Sequence, residues 1–68
     1  LARVEHAIAA REAIRIVYRA GTKGAGPRPV TPLAFYAAEG RLWLRAVCHL
    51  DEATKSFRCD RIRGVRPR

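Results

Sequence analysis

The chain lacks any long apolar run. Its hydrophobic stretches are short and broken by arginine, and none approaches the ~18 consecutive apolar residues that a membrane-spanning helix requires. A spanning helix is excluded on this count. An initiator methionine is missing too, and Leu1 opens directly into a helical pattern, without the apolar core and small-residue cleavage site of a signal peptide. The expectation is a domain cut from a longer protein. Cysteine is scarce: Cys48 and Cys59 stand alone, whereas a secreted disulfide scaffold of this size carries about four to eight. Both fall where strand alternation points inward, so they read as buried free thiols in the reducing cytoplasm.

Acidic residues are also few. Six Asp and Glu face fourteen Lys and Arg, leaving a net charge of +8 on 68 residues, and all but two of the cations are arginine. The planar guanidinium fork suits phosphate, so the imbalance points towards polyanionic partners. A solvated basic surface is the plain alternative. With 49% apolar residues spread along the chain, the sequence is too hydrophobic for a disordered tail and is expected to fold. A domain this short buries only about 60% of its unfolded surface, which allows one compact core and no second domain. There is no internal repeat and no low-complexity tract.

Residues 1–13, LARVEHAIAAREA, place Leu1, Val4 and Ile8 on one helical stripe with charges opposite, which predicts a short amphipathic helix. From Ile14 the period becomes two: Ile14, Ile16 and Tyr18 alternate with Arg15, Val17 and Arg19, the pattern of a strand. The following GTKGAGP predicts a loop. Arg28 to Ala37 reads as a second extended stretch, bent or held at a sheet edge by Pro29 and Pro32, which cannot donate to a ladder. Glu39-Gly40 marks a turn. Arg41 to Leu50 then puts Leu42, Leu44, Ala46 and Cys48 on one face and Trp43, Arg45, Val47 and His49 on the other. A polar turn at Asp51-Glu52 leads to Lys55–Ile62, with Phe57 and Cys59 facing one way and Ser56, Arg58 and Asp60 the other, and a final short strand includes Val65. One helix followed by about five short strands, in a chain too short for two packed sheets, predicts a single mainly β domain. Its N-terminal α-helix (1–13) would cover an open end of a bent sheet (14–68) that closes into a small five-stranded β-barrel.

The stretch from Pro32 to Ile62, PLAFYAAEGRLWLRAVCHLDEATKSFRCDRI, resembles the WYL domain, a bacterial module named for a Trp-Tyr-Leu tripeptide in its central strand. The likeness extends upstream through Ala7 to Ala13 and the Ile16 to Tyr18 strand end. Its most specific piece is Phe57-Arg58 followed by Asp60-Arg61-Ile62. The chain departs from the family at Leu42-Trp43-Leu44, where the indole sits one place later and on the opposite strand face. It also departs at Cys59, where an aliphatic residue is common, and at Arg45, where an apolar one often stands. The resemblance implies an Sm-like β-barrel that senses or binds ligands within a larger protein, behind a winged helix-turn-helix in a transcription regulator or beside a helicase or nuclease. It also implies that the ligands are single-stranded DNA or nucleotide-like molecules, held by basic residues on the barrel.

If strands 41–50 and 55–62 pair as an antiparallel hairpin, Trp43, Arg45, His49, Ser56 and Arg58 share one outward face. Guanidinium groups fork onto phosphate, and an exposed indole stacks on bases for about 1–3 kcal/mol each. Arg58 stands in the Phe-Arg pair of the resemblance, with an ion pair to Asp60 or Glu39 as its structural alternative. Arg61 either meets the ligand or pins the barrel through an ion pair. Arg45 gains from its predicted proximity to Arg58, because neighbouring like charges are unfavourable unless an anion joins them. Trp43 divides between stacking and covering the core edge, and Tyr18 between core packing and offering its hydroxyl to the ligand. Phe57, Phe35 and Leu44 are core.

Other chemistries are not signalled. Cys48, His49 and Cys59 lack the paired short spacings of a zinc site. Ser56 with His49 and Asp51 or Asp60 would need a positioned triad and an oxyanion hole. GTKGAG lacks the Gly-Lys-Ser/Thr spacing of a phosphate loop and runs into a proline and a strand. Lys23 and the run Arg61, Arg63, Arg66 and Arg68 add to the cationic field. The expected function is that of a ligand-sensing or accessory domain for single-stranded nucleic acid or a nucleotide-like anion, not an enzyme and without a cofactor. The competing expectation is a protein-interaction or dimerisation module, docking through strand edges or the Leu1, Val4, Ile8 face; a homodimer through the parent protein fits either.

Overall fold

A computed structural model describes residues 2–19 and 27–67. Leu1, Arg68 and residues 20–26, which hold most of the predicted loop with Lys23, lie outside the described residues. The helix α1 spans Ala2–Ala10, three residues short of the predicted end at Ala13. It stops because Arg11 adopts a left-handed φ of 57°, and the amides of Arg11 and Glu12 turn back onto the carbonyls of Ile8 and Ala7 at 3.3 and 3.0 Å. This closure usually carries glycine, so no stop signal was visible in the sequence. Val4 and Ala7 are buried and Ile8 packs against the core, which places the described part of the predicted stripe, Val4 and Ile8, inward. No helix among the described residues is long and apolar enough to cross a membrane.

Five strands follow: β1 (Ile14–Tyr18), β2 (Pro27–Ala38), β3 (Arg41–Cys48), β4 (Ala53–Arg58) and β5 (Ile62–Pro67). All pairings are antiparallel, in the order β4-β3-β2-β1-β5. The expected closed barrel is corrected to an open five-stranded sheet, because β4 and β5 are the outer strands and share no ladder. A 3-10 turn at Cys59–Arg61 interrupts the strand predicted over 55–62, so the chain swings from β4 to β5 before closure can form. Single contacts beyond the ladders join the β1 end to the 3-10 turn and to β4 instead. The Arg19 amide donates to the Arg61 carbonyl at 3.0 Å, and the Arg58 amide donates to the Tyr18 hydroxyl at 3.0 Å.

The proline-containing β2 lies between β1 and β3 rather than at an edge. Pro29 faces Arg15 and Pro32 faces Ala46, and the ladder absorbs them with a register slip between Pro32 and Ala34 that leaves Leu33 as an exposed bulge. Glu39 and Gly40 both have positive φ, 55° and 70°, forming the two-residue turn that sets Ala38 opposite Arg41.

The core gathers on one face of the sheet under α1: Ile14, Ile16 and Tyr18, Val30, then Leu44, Ala46 and Cys48, and Phe57. Phe35 is only partly buried against it. Leu42, assigned to the inward face, is 46% exposed, since it stands beside the hairpin turn opposite the exposed Ala37. Cys48 is buried and Cys59 half-buried, and both are free thiols.

Two leucines on one strand therefore differ sharply. Leu44→Ala is expected to cost about 2–5 kcal/mol, and Leu42→Ala no more than about 0.5 kcal/mol. Urea midpoints at unchanged slope measure both.

Candidate nucleic-acid interface

The β3–β4 ladder sets Trp43 against Arg58 and Arg45 against Ser56. The β2–β3 ladder sets Tyr36 against Trp43 and Ala34 against Arg45. Two adjacent rows therefore lie on the face turned away from the core, Tyr36–Trp43–Arg58 and Ala34–Arg45–Ser56. The rings of Tyr36 and Trp43 are parallel to within 9°, with centroids 6.3 Å apart. Their polar ends are held: the indole N–H donates to the Ala38 carbonyl at 3.0 Å, and the Tyr36 hydroxyl donates to Ser56 Oγ at 2.7 Å. Both rings are fixed in orientation, and Tyr36 is exposed while Trp43 is half-buried.

The charges on this face are unequal. Arg58 Nε and Nη2 donate to the two carboxylate oxygens of Asp60 at 3.0 and 2.7 Å, the matched fork that bidentate pairs adopt. This is the ion pair that competed with ligand contact for Arg58. The hydrogen bond from Arg58 holds the Asp60 carboxyl below its ordinary value, and the charges of Arg58, Arg41 and Arg61 lower it further. One carboxylate thus sits in a field of three guanidiniums. Arg45, in contrast, is exposed and has no hydrogen-bond or ion-pair partner among the described residues. Burial and the Asp60 carboxylate push the neighbouring Cys59 thiol up.

The structure brings Trp43, Arg45, Ser56 and Arg58 together on the outer face, while Tyr18 lies on the core face, Arg61 in the turn after β4 and His49 beyond the end of β3. Tyr18 is buried on the core face, its ring packed edge-on to Phe57 at 5.1 Å and 78°, with its hydroxyl accepting the Arg58 amide. His49 follows the end of β3, where its Nε2 lies 2.8 Å from Thr31 Oγ1. Six residues separate it from Trp43, roughly 20 Å along an extended strand. Arg61 lies in the 3-10 turn, half-buried, with its charge acting on Asp60.

Tyr36 and Arg41 were missed by sequence reasoning. Alternation carried forward from Arg28 loses phase at the Leu33 bulge, whereas counting back from the two-residue Glu39-Gly40 turn places Tyr36 opposite Trp43.

One helix and five antiparallel strands with an aromatic, cationic outer face define a small, mainly β domain. The chain matches the WYL domain family over residues 1–67 and belongs to it. Among solved structures it is similar to proteasome accessory factor B/C (PafBC) of Arthrobacter aurescens, with a TM-score of 0.85 and 27% identity over 97% of this chain. The match spans 10% of that protein's chain. No curated protein gives a significant match.

The Asp60 carboxyl titrates below its ordinary 3.8, so its pairing with Arg58 is complete above that pH and is lost as pH falls through the lower, folded-state midpoint. Side-chain carboxyl NMR is expected to show this depressed midpoint in the wild type and its return towards 3.8 in Arg58→Gln. An equal midpoint in both would remove the fork.

Proposed function

We propose that the outer face binds single-stranded nucleic acid or a nucleotide-like anionic ligand. In this reading the domain is a ligand-sensing or accessory module of a longer protein, such as a bacterial transcription regulator, a helicase or a nuclease, and does not itself catalyse a reaction. The observation that carries this reading is the row Tyr36–Trp43–Arg58, an oriented aromatic pair with a guanidinium in register, flanked by the partnerless Arg45 in the next row. Ring faces accept any base, and guanidinium groups accept the phosphates between bases. Because Asp60 already fills the Arg58 fork, phosphate contact falls first on Arg45. Arg58 joins by exchanging a carboxylate for a phosphate. Membership of the WYL family and the likeness to PafBC support the regulatory setting.

Fluorescence anisotropy with single-stranded DNA, duplex DNA, RNA and free nucleotides at two salt concentrations tests this. Single strands are expected to bind with a log–log salt slope of about −0.7 per neutralised phosphate. Arg45→Ala is expected to make that slope shallower by about 0.7 while leaving the fold intact. Trp43→Ala is expected to weaken binding by about 1–3 kcal/mol. Equal weak binding to every probe, vanishing at physiological salt, would reduce the site to nonspecific charge. Concentration-dependent self-association without oligonucleotide affinity would replace it with an interaction module.

A further inference from the structure

The core side of the sheet carries a charge that the outer face does not explain. Arg28 is 7% exposed and is the sole buried charged residue among those described. Its Nη2 is fully buried and hydrogen-bonds nothing, and among the described residues no carboxylate reaches it. What it has is the Tyr18 ring, whose centroid lies 5.9 Å from the guanidinium carbon. The Tyr18 hydroxyl accepts the Arg58 amide, and its own proton goes to no partner among the described residues. Two donors with no partner among the described residues, Arg28 Nη2 and the Tyr18 O–H, therefore belong to side chains in contact on an otherwise apolar face.

Their place in the fold gives this meaning. Helix α1 and the residues just after it border grooves lined by Ile8, Thr31 and Pro32 and by Ile14 and Pro67, while its first residues, Ala2 and Arg3, border Ile62 and Val65. Arg28 pairs with Ile16, and Tyr18 is the last residue of β1. Both stand away from the Ile14 end of β1. A guanidinium withdrawn from water without an anion is costly, and a ring face returns only part of that cost. An aliphatic side chain here would simply extend the core around Ile16, Val30 and Leu44.

We propose that Arg28 and the Tyr18 hydroxyl form an inward anion site that takes one oxyanion of a small ligand, a phosphate monoester or a carboxylate. The guanidinium donates two N–H groups to the oxyanion, and the Tyr18 O–H donates a third bond while still accepting the Arg58 amide. This site is separate from the outer face and does not rest on it.

Thermal melting of the chain in constant chloride, with and without millimolar inorganic phosphate or acetate, tests the assignment. Arg28→Met keeps the stem and removes the charge. It is expected to melt about 4–8 °C above the wild type without added oxyanion and to ignore both oxyanions, whereas the wild type rises with ligand concentration. A response to phosphate alone assigns a phosphate-bearing ligand, and a response to acetate alone assigns a carboxylate. Arg45→Ala is expected to keep the wild-type response, and Arg28→Met to keep wild-type oligonucleotide affinity, which separates this site from the outer face. A lower melting point or failure to fold in Arg28→Met overturns the proposal, as does a phosphate response that survives in it. In the wild type, the Arg28 Nε–Hε resonance is expected to shift saturably with the stabilising oxyanion. An unmoved resonance overturns the proposal independently of any variant.

Discussion

The hydrogen bond from the Arg58 amide to the Tyr18 hydroxyl joins two strands that share no ladder. In the order β4-β3-β2-β1-β5, β1 and β4 are three places apart, and in a flat sheet that would separate them by ~14 Å. A contact of 3.0 Å across that interval requires the sheet to curl until a side chain of β1 reaches the backbone of β4. The edge-on packing of Tyr18 against Phe57 fills the concavity so formed. The rest of the molecule follows from this curl. It encloses Ile16, Val30, Leu44 and Ala46 with one short helix as cover, and it fixes the backbone from which Arg58 projects.

Charge is organised at two levels. The overall excess of arginine gives the chain a net charge of +8, but the neighbourhood of each guanidinium decides what it can hold. Arg58 is neutralised in place by Asp60, and because both groups are partly solvated the pair is cheap to exchange for another anion. Arg45 is exposed and unengaged among the described residues. Arg28 is buried to 7% exposure, with its Nη2 shut off from water. Three arginines of identical chemistry thus stand ready for different encounters.

Local rules made much of this readable. Alternation from Leu44 to Cys48 gave the inward face of β3, the Val4 and Ile8 stripe gave the helix, and hairpin pairing grouped Trp43, Arg45, Ser56 and Arg58, though it also drew in His49, which lies beyond the end of β3. Tyr18 shares the inward phase of Ile14 and Ile16, so its burial was legible too, while the hydroxyl contact 40 residues away in sequence was not. The hidden features are those in which one residue departs from its usual habit. Arg11 takes a conformation that glycine normally occupies, prolines sit in a central strand, and a 3-10 turn replaces the last part of a strand. Each is decided by tertiary contacts that outweigh intrinsic preference.

The extra residue at Leu33 works as a parity switch. Before it, odd-numbered side chains of β2 point outward, Pro29 and Thr31 among them; after it, even-numbered ones do, Ala34 and Tyr36. Without the slip, Phe35 would face solvent and Tyr36 would turn into the core, leaving the indole of Trp43 without its neighbour. The outer face is thus encoded in the length of β2 as much as in its composition: most single replacements there change one side chain, but gain or loss of one residue would exchange the strand's inside for its outside.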